Sequence, residues 1–175
     1  MTSNNFELMK LSEIKTICVV CAGNICRSPI GEVVLKDRLD KAGLDIFVDS
    51  AGTGDWHEGE DANQKSIKVL RDSGYEISHN ARQFKKHWFE QKDLILVMDF
   101  ENKRNLTSIA PKDQLPKIKL MRAFDPLFKN AAQDSLELEV PDPYHEPLDA
   151  FYEVLDMVEQ ASDGLVAEIL KAQRN

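Results

Sequence analysis

No stretch of this chain approaches the roughly 20 consecutive apolar residues a membrane-spanning helix needs, so no membrane association is expected. Residues 1–10 lack an apolar core followed by a small-residue cleavage site, so no signal peptide is expected and a cytoplasmic address is the default. Cationic residues are in the minority: Lys and Arg number 22 against 30 Asp and Glu, a formal charge of -8. That balance argues against general nucleic-acid binding, which requires basic patches to neutralise phosphates. Cysteine is sparse, with three residues, Cys18, Cys21 and Cys26, and none beyond. An odd number in so short a segment excludes a secreted disulfide framework. The four histidines (His57, His79, His87 and His145) show no ligand-like spacing, and zinc asks for about four converging ligands, so no metal is expected. G-x-G-x-x-G and the Gly-Lys-Ser/Thr of a nucleotide loop are both missing. So are internal repeats and low-complexity tracts.

What is present fits one domain. The 175 residues divide into a polar, aperiodic leader over 1–13, expected to be flexible, and a single domain over 14–175. The β-branched run from Ile14 to Cys21 predicts a buried strand, and 45–50 and 93–98 predict two more, with a shorter fourth over 118–121. Between them lie helical patterns. Ser28-Pro29 reads as an N-cap and first helical residue, with Ile30 and Val34 facing inward and Gly43 as the stop. Further helices are expected over 63–73 and 99–108. Residues 51–61 and 122–146 read as irregular. A long final helix starts near Pro147, where Leu148, Phe151, Leu155, Val158, Leu165 and Ile169 keep three-or-four spacing. Strands alternating with helices predict an α/β fold with a parallel sheet. Ligands in such sheets sit at the carboxyl ends of strands, which is where Cys21 stands.

The loop after that strand reads Cys21-Ala22-Gly23-Asn24-Ile25-Cys26-Arg27-Ser28. Successive amides in a strand-to-helix turn can form an anion-binding nest, and the helix N-terminus adds partial positive charge. Arg27 supplies a planar fork suited to two phosphate oxygens. A cysteine in such a place is expected to be a thiolate and hence a nucleophile. A strand-end cysteine is commonly just a small buried hydrophobe; the loop around it is what sets this one apart. Cys18 and Cys21 share C-x-x-C spacing, but residues three apart in a strand face opposite sides, so a redox pair is discounted and Cys18 is assigned to the core. Far downstream stands Asp142-Pro143-Tyr144. An Asp between prolines is usually a turn former. Beside an anion site it could instead protonate a departing oxygen.

These two motifs, in this order, resemble those of the low-molecular-weight protein tyrosine phosphatases. The segments Asp49-Ser50-Ala51-Gly52-Thr53, Ser78-His79-x-Ala81-Arg82 and Met98-Asp99-x-x-Asn102 also resemble that family, and the match spans nearly the whole chain. The resemblance implies a flavodoxin-like three-layer sandwich with a four-stranded parallel sheet in the order 2-1-3-4. It implies hydrolysis of phosphotyrosine through a phosphocysteine on Cys21, with Arg27 clamping the phosphate and Asp142 as general acid and then base. Ala22, Gly23, Asn24, Ile25 and Cys26 would form the phosphate loop. Ser28 would hydrogen-bond the Cys21 sulfur, and Asn24, Ser50 and His79 would brace the loop. Trp56 and Tyr144 would wall a slot too deep for phosphoserine. No metal or organic cofactor is implied. The implied partner is a tyrosine-phosphorylated protein; for a bacterial source, a tyrosine kinase of polysaccharide assembly. A monomer is the default.

Two rivals share the fold. Phosphoarginine phosphatases tend to carry Thr where this chain has Ile25 and Phe where it has Tyr144. Thiol-relay arsenate reductases need further cysteines downstream, and none follows Cys26. Cys26 itself has two readings: a packing residue, or a partner that forms a protective disulfide with Cys21 under oxidation. The acidic residues Asp55, Glu58, Glu60 and Asp61 could favour basic sequence around a substrate phosphate, or be merely solvated.

Overall fold

The computed structural model describes residues 11–175. Four strands, β1 (Thr16–Cys21), β2 (Phe47–Gly52), β3 (Leu94–Val97) and β4 (Ile118–Leu120), form one parallel sheet in the order β2-β1-β3-β4. The helices that accompany it include α1 (Arg27–Lys41), α2 (Gln64–Asp72), α3 (Phe100–Thr107) and α4 (Leu148–Arg174). The flavodoxin-like order inferred by resemblance is the one observed.

The strands are apolar throughout because the sheet is covered on both faces. Alternation divides the side chains between two cores. Ile17, Val19, Cys21, Leu94, Leu96 and Met98 join the core beneath α1 and α4. Cys18, Val20, Ile95 and Val97 join the opposite core, with Phe84, Phe89 and Leu106. Cys18 and Cys21 therefore lie on opposite faces. Burial, assisted by Asp49, pushes the Cys18 thiol well above its ordinary range, so this sulfur is an inert core residue. The starts of β1 and β3 are knotted together by Asp93, whose Oδ2 accepts from the amides of Lys15 (2.8 Å) and Thr16 (3.1 Å). The final helix lies so close to the turn after β4 that a Cβ on Gly164 would come 1.8 Å from the Phe124 carbonyl oxygen. Arg38 of α1 adds an ionic clasp to Glu159 (2.9 Å) and Asp163 (2.8 Å) of α4.

The structure differs from the sequence reading in three places. Residues 1–10 of the expected leader lie outside the described residues, while its last three, 11–13, are helical and Leu11 is buried among core apolar residues. The second strand runs two residues past Ser50, because Ala51 and Gly52 stay in register with Val20 and Cys21. Ser28 is not the N-cap of α1. The cap is Cys26, Arg27 is already helical, and Pro29 is the third helical residue. The Ser28 hydroxyl is engaged with the loop instead.

Candidate active site

The segment from Cys21 to Ser28 wraps into a cup at the carboxyl end of β1. The direction of its peptides can be read from its carbonyls. The Cys21 carbonyl accepts from Thr53 N (2.9 Å), Ala22 from Gly54 N (3.0 Å) and Ile25 from Asn63 N (2.7 Å). The carbonyl of Asn24 accepts from His79 Nε2 (2.6 Å), and that of Cys26 from the Ser66 hydroxyl (3.2 Å). Every one of these donors lies outside the loop. In a trans peptide the N–H opposes the C=O, so the loop amides face the concave side. Helix α1 opens beneath them with no side-chain cap and no acidic residue in its first turn, leaving its first N–H groups for an external acceptor. The cup also depends on Gly52, where a Cβ would stand 2.6 Å from the Ala22 carbonyl oxygen.

Asn24 holds the cup in shape. It is the one non-glycine residue with positive φ (59°) among the described residues, a conformation Asn tolerates better than most. Its Oδ1 accepts from the Arg82 amide (3.0 Å), which fixes the orientation of the side-chain amide. Nδ2 then donates to Ser28 Oγ (2.7 Å) and Ser50 Oγ (3.0 Å). The Ser28 oxygen is thus an acceptor toward Asn24, and its own hydrogen has two acceptors in reach, Cys21 Sγ at 3.0 Å and the Ala51 carbonyl at 3.4 Å. Ser50 in turn donates to Glu32 (2.9 Å). Asn24 and Ser28 are fully buried.

Arg27 is 2% exposed. Its Nη1 donates to Asp99 Oδ2 (2.6 Å) and to the Val140 carbonyl (3.0 Å), and Nη2 lies 3.7 Å from Asp142 Oδ2. Its Nε is buried without a partner, a cost that an incoming oxyanion would remove. Burial opposes the guanidinium charge, but Cys21, Asp99 and Asp142 outweigh it and hold the proton more firmly than usual. Cys26, by contrast, is pushed up to about 12 by burial and then by the negative charges of Cys21 and Asp142, so it stays a neutral thiol. All three cysteines are free.

Asp142 stands across the opening, its side chain 51% exposed. Its Oδ1 accepts from Tyr144 N (3.2 Å), and Pro143 between them is buried. Tyr144 has ring neighbours His57 (6.2 Å between centroids) and His145 (4.8 Å). Trp56 is 68% exposed, with its ring lying against Gly54.

The structure brings Cys21, Arg27, Ser28, Asn24, Ser50, His79 and Asp142 to one rim of the sheet. Three further participants were not read as site residues. Asp99 caps α3 through Asn102 N (2.7 Å) and orients Arg27 with its other oxygen; its capping was legible, its second contact was not. Arg82 sets the Asn24 amide and is itself tied to Asp49. His57 packs on Gly23, where a Cβ would come 2.8 Å from its ring. A local motif carries no signal for such contacts.

Set beside known proteins, the chain matches the family model described as low molecular weight phosphotyrosine protein phosphatase over residues 16–175. It is 46% identical over 156 residues to a low molecular weight protein-tyrosine-phosphatase of Streptomyces coelicolor, covering 87% of this chain and 92% of that protein. Among solved structures it resembles a protein tyrosine phosphatase from Entamoeba histolytica with Hepes in its active site. The TM-score there is 0.81 and the identity 32%, over 90% of this chain and 97% of the other. The fold is also shared with the YwlE arginine phosphatase, with a TM-score of 0.79 at 23% identity, over 91% and 98% of the two chains. This chain belongs to the low molecular weight phosphotyrosine protein phosphatase family.

Proposed function

We propose that this chain hydrolyses phosphotyrosine in proteins by a two-step displacement on Cys21. The supporting observation is the convergence of four features on one cup. They are an inward-facing set of amides, a Cys21 sulfur 3.0 Å from the Ser28 hydroxyl, an Arg27 Nε with no partner, and an exposed Asp142 carboxylate opposite.

In the first step the Cys21 thiolate attacks phosphorus in line with the phenolic oxygen. A P–S bond forms, the P–O bond to the tyrosine breaks, and protonated Asp142 delivers its proton to the departing oxygen. The loop amides and Arg27 hold the equatorial oxygens, where charge resides in the transition state. In the second step Asp142, now a carboxylate, takes a proton from water as that water attacks phosphorus. The P–S bond breaks, phosphate leaves, and the Ser28 hydroxyl stabilises the thiolate released. Asn24, Ser50 and His79 act by keeping the loop in shape, and Ala22, Gly23, Ile25 and Cys26 complete its backbone. Trp56 and Tyr144 wall the approach and admit a phenyl ring.

The test is a panel of phosphotyrosine, phosphoserine and phosphoarginine peptides assayed in EDTA, with an acid quench to trap enzyme-bound phosphate. Selective release from phosphotyrosine, with label trapped in wild type and absent in Cys21→Ser, is expected. Preferred turnover of phosphoarginine would overturn the substrate assignment. Thiol-coupled arsenate reduction without aryl phosphatase activity would overturn the reaction itself.

A further inference from the structure

Asp142 is carried on a segment whose position is fixed from behind by a residue with no place in the chemistry above. After β4 the chain makes single 3-10 turns at Met121–Phe124, Pro126–Phe128 and Leu136–Leu138, then returns toward the cup through Glu139 and Val140. Arg122, in the first of these turns, reaches across the loop it opens. Its Nη1 donates to the carbonyls of Glu137 (2.9 Å) and Glu139 (3.2 Å). Its guanidinium carbon lies 4.7 Å from the centroid of the Phe128 ring. One planar cation thus grips the returning segment at two points and rests on an aromatic face. Val140, the next residue, is fixed at both ends: its amide donates to the Met98 carbonyl (2.8 Å) and its carbonyl accepts from Arg27 (3.0 Å). Pro141 and the buried Pro143 then leave Asp142 little backbone freedom.

We infer that Arg122 is a positioning residue for Asp142, setting the reach of its carboxyl over Cys21 by clamping the Glu137 and Glu139 carbonyls. The inference rests on the reading of Asp142 as general acid. Proton delivery to a departing oxygen demands hydrogen-bond distance. A displacement of about 1 Å, transmitted from outside the chemistry, can cost up to about a hundredfold. The grip on phosphate, by contrast, comes from the Cys21–Ser28 loop and Arg27. Losing the clamp should therefore damage proton transfer and spare phosphate binding.

Leaving-group dependence isolates that step. The value of kcat/KM reports events up to expulsion of the phenol. Phenyl phosphate needs a proton there, and 2,4-dinitrophenyl phosphate does not. In Arg122→Met, which keeps an apolar stem on Phe128 but donates nothing, kcat/KM for phenyl phosphate should fall about tenfold or more. For the dinitrophenyl ester it should change less than about twofold, with inorganic phosphate inhibiting as in wild type. Arg122→Lys, with a donor but no fork, should show a smaller loss of the same selectivity. In an Asp142→Asn background, Arg122→Met should add nothing to the loss on phenyl phosphate.

Equal losses on both esters, full additivity in the double variant, or an unchanged phenyl phosphate rate would each overturn the inference. If Asp142→Asn alone showed no leaving-group selectivity, the general-acid reading would fall first and take the inference with it. Selectivity in Asp142→Asn but not in Arg122→Met would sink the inference alone.

Discussion

The two halves of the site are built on opposite plans. The half that holds Cys21 is contiguous in sequence, buried, and braced by hydrogen bonds that run Arg82–Asn24–Ser28–Cys21. The half that holds Asp142 joins the cup across 113 residues through the Val140 carbonyl, is held by its backbone, and leaves the Asp142 carboxylate 51% exposed. A buried polar network is costly to leave half satisfied and therefore rigid. An exposed carboxylate on a tethered arm can exchange protons with water and make room for a substrate. In the proposed mechanism, rigidity falls where charge is stabilised and access where protons turn over.

Substitutions that strike one half at a time sharpen this contrast. The largest effect is expected from Cys21→Ser: no measurable turnover, but retained affinity for inorganic phosphate in a competition assay, because the cup's amides and Arg27 remain. Next, Asp142→Ala should slow phenyl ester hydrolysis by about two to four orders of magnitude, the usual worth of a general acid. It should do so with little change in melting temperature, since the side chain is half exposed. Asn24→Ala breaks the other half. It removes the donor to the Ser28 and Ser50 hydroxyls, strands the Arg82 amide and places Ala at a φ of 59°. A loss of about ten- to a hundredfold in kcat is expected as the cup loosens around Cys21, together with a lower melting temperature, the unpaired Arg82 amide alone costing about 1–3 kcal/mol. If Asn24→Ala left stability and the Cys21 alkylation rate unchanged, the rigid-half picture would fail. The smallest effect belongs to Trp56→Ala, which should raise KM for an aryl phosphate by about two- to tenfold. Its effect on stability should stay within about 0.5 kcal/mol, as for other exposed positions.

The same contrast explains what could be read from the sequence. The loop from Cys21 to Ser28 was legible because strand, turn and helix are adjacent in the chain and each residue type has one evident task. The sheet order was legible only through the family resemblance; the apolar runs marked strands but not their neighbours. Ser28 misled as a cap because a serine before a proline satisfies the usual helix-start signal, while its hydroxyl is in fact turned to the sulfur. The Asp99 contact with Arg27 spans 72 residues, and the Arg122 clamp ends on carbonyls, which any residue possesses. Contacts to backbone atoms leave no trace in residue identity.

One consequence follows from the Asp93 knot at the far rim of the sheet. A strand here is a ruler with two different ends: hydrogen bonds close one, and the other opens onto the cup. Variant libraries sorted separately for soluble expression and for turnover should therefore split along that ruler. Thr16 and Asp93 would be depleted by the first sort, and Gly52 and Asn24 by both.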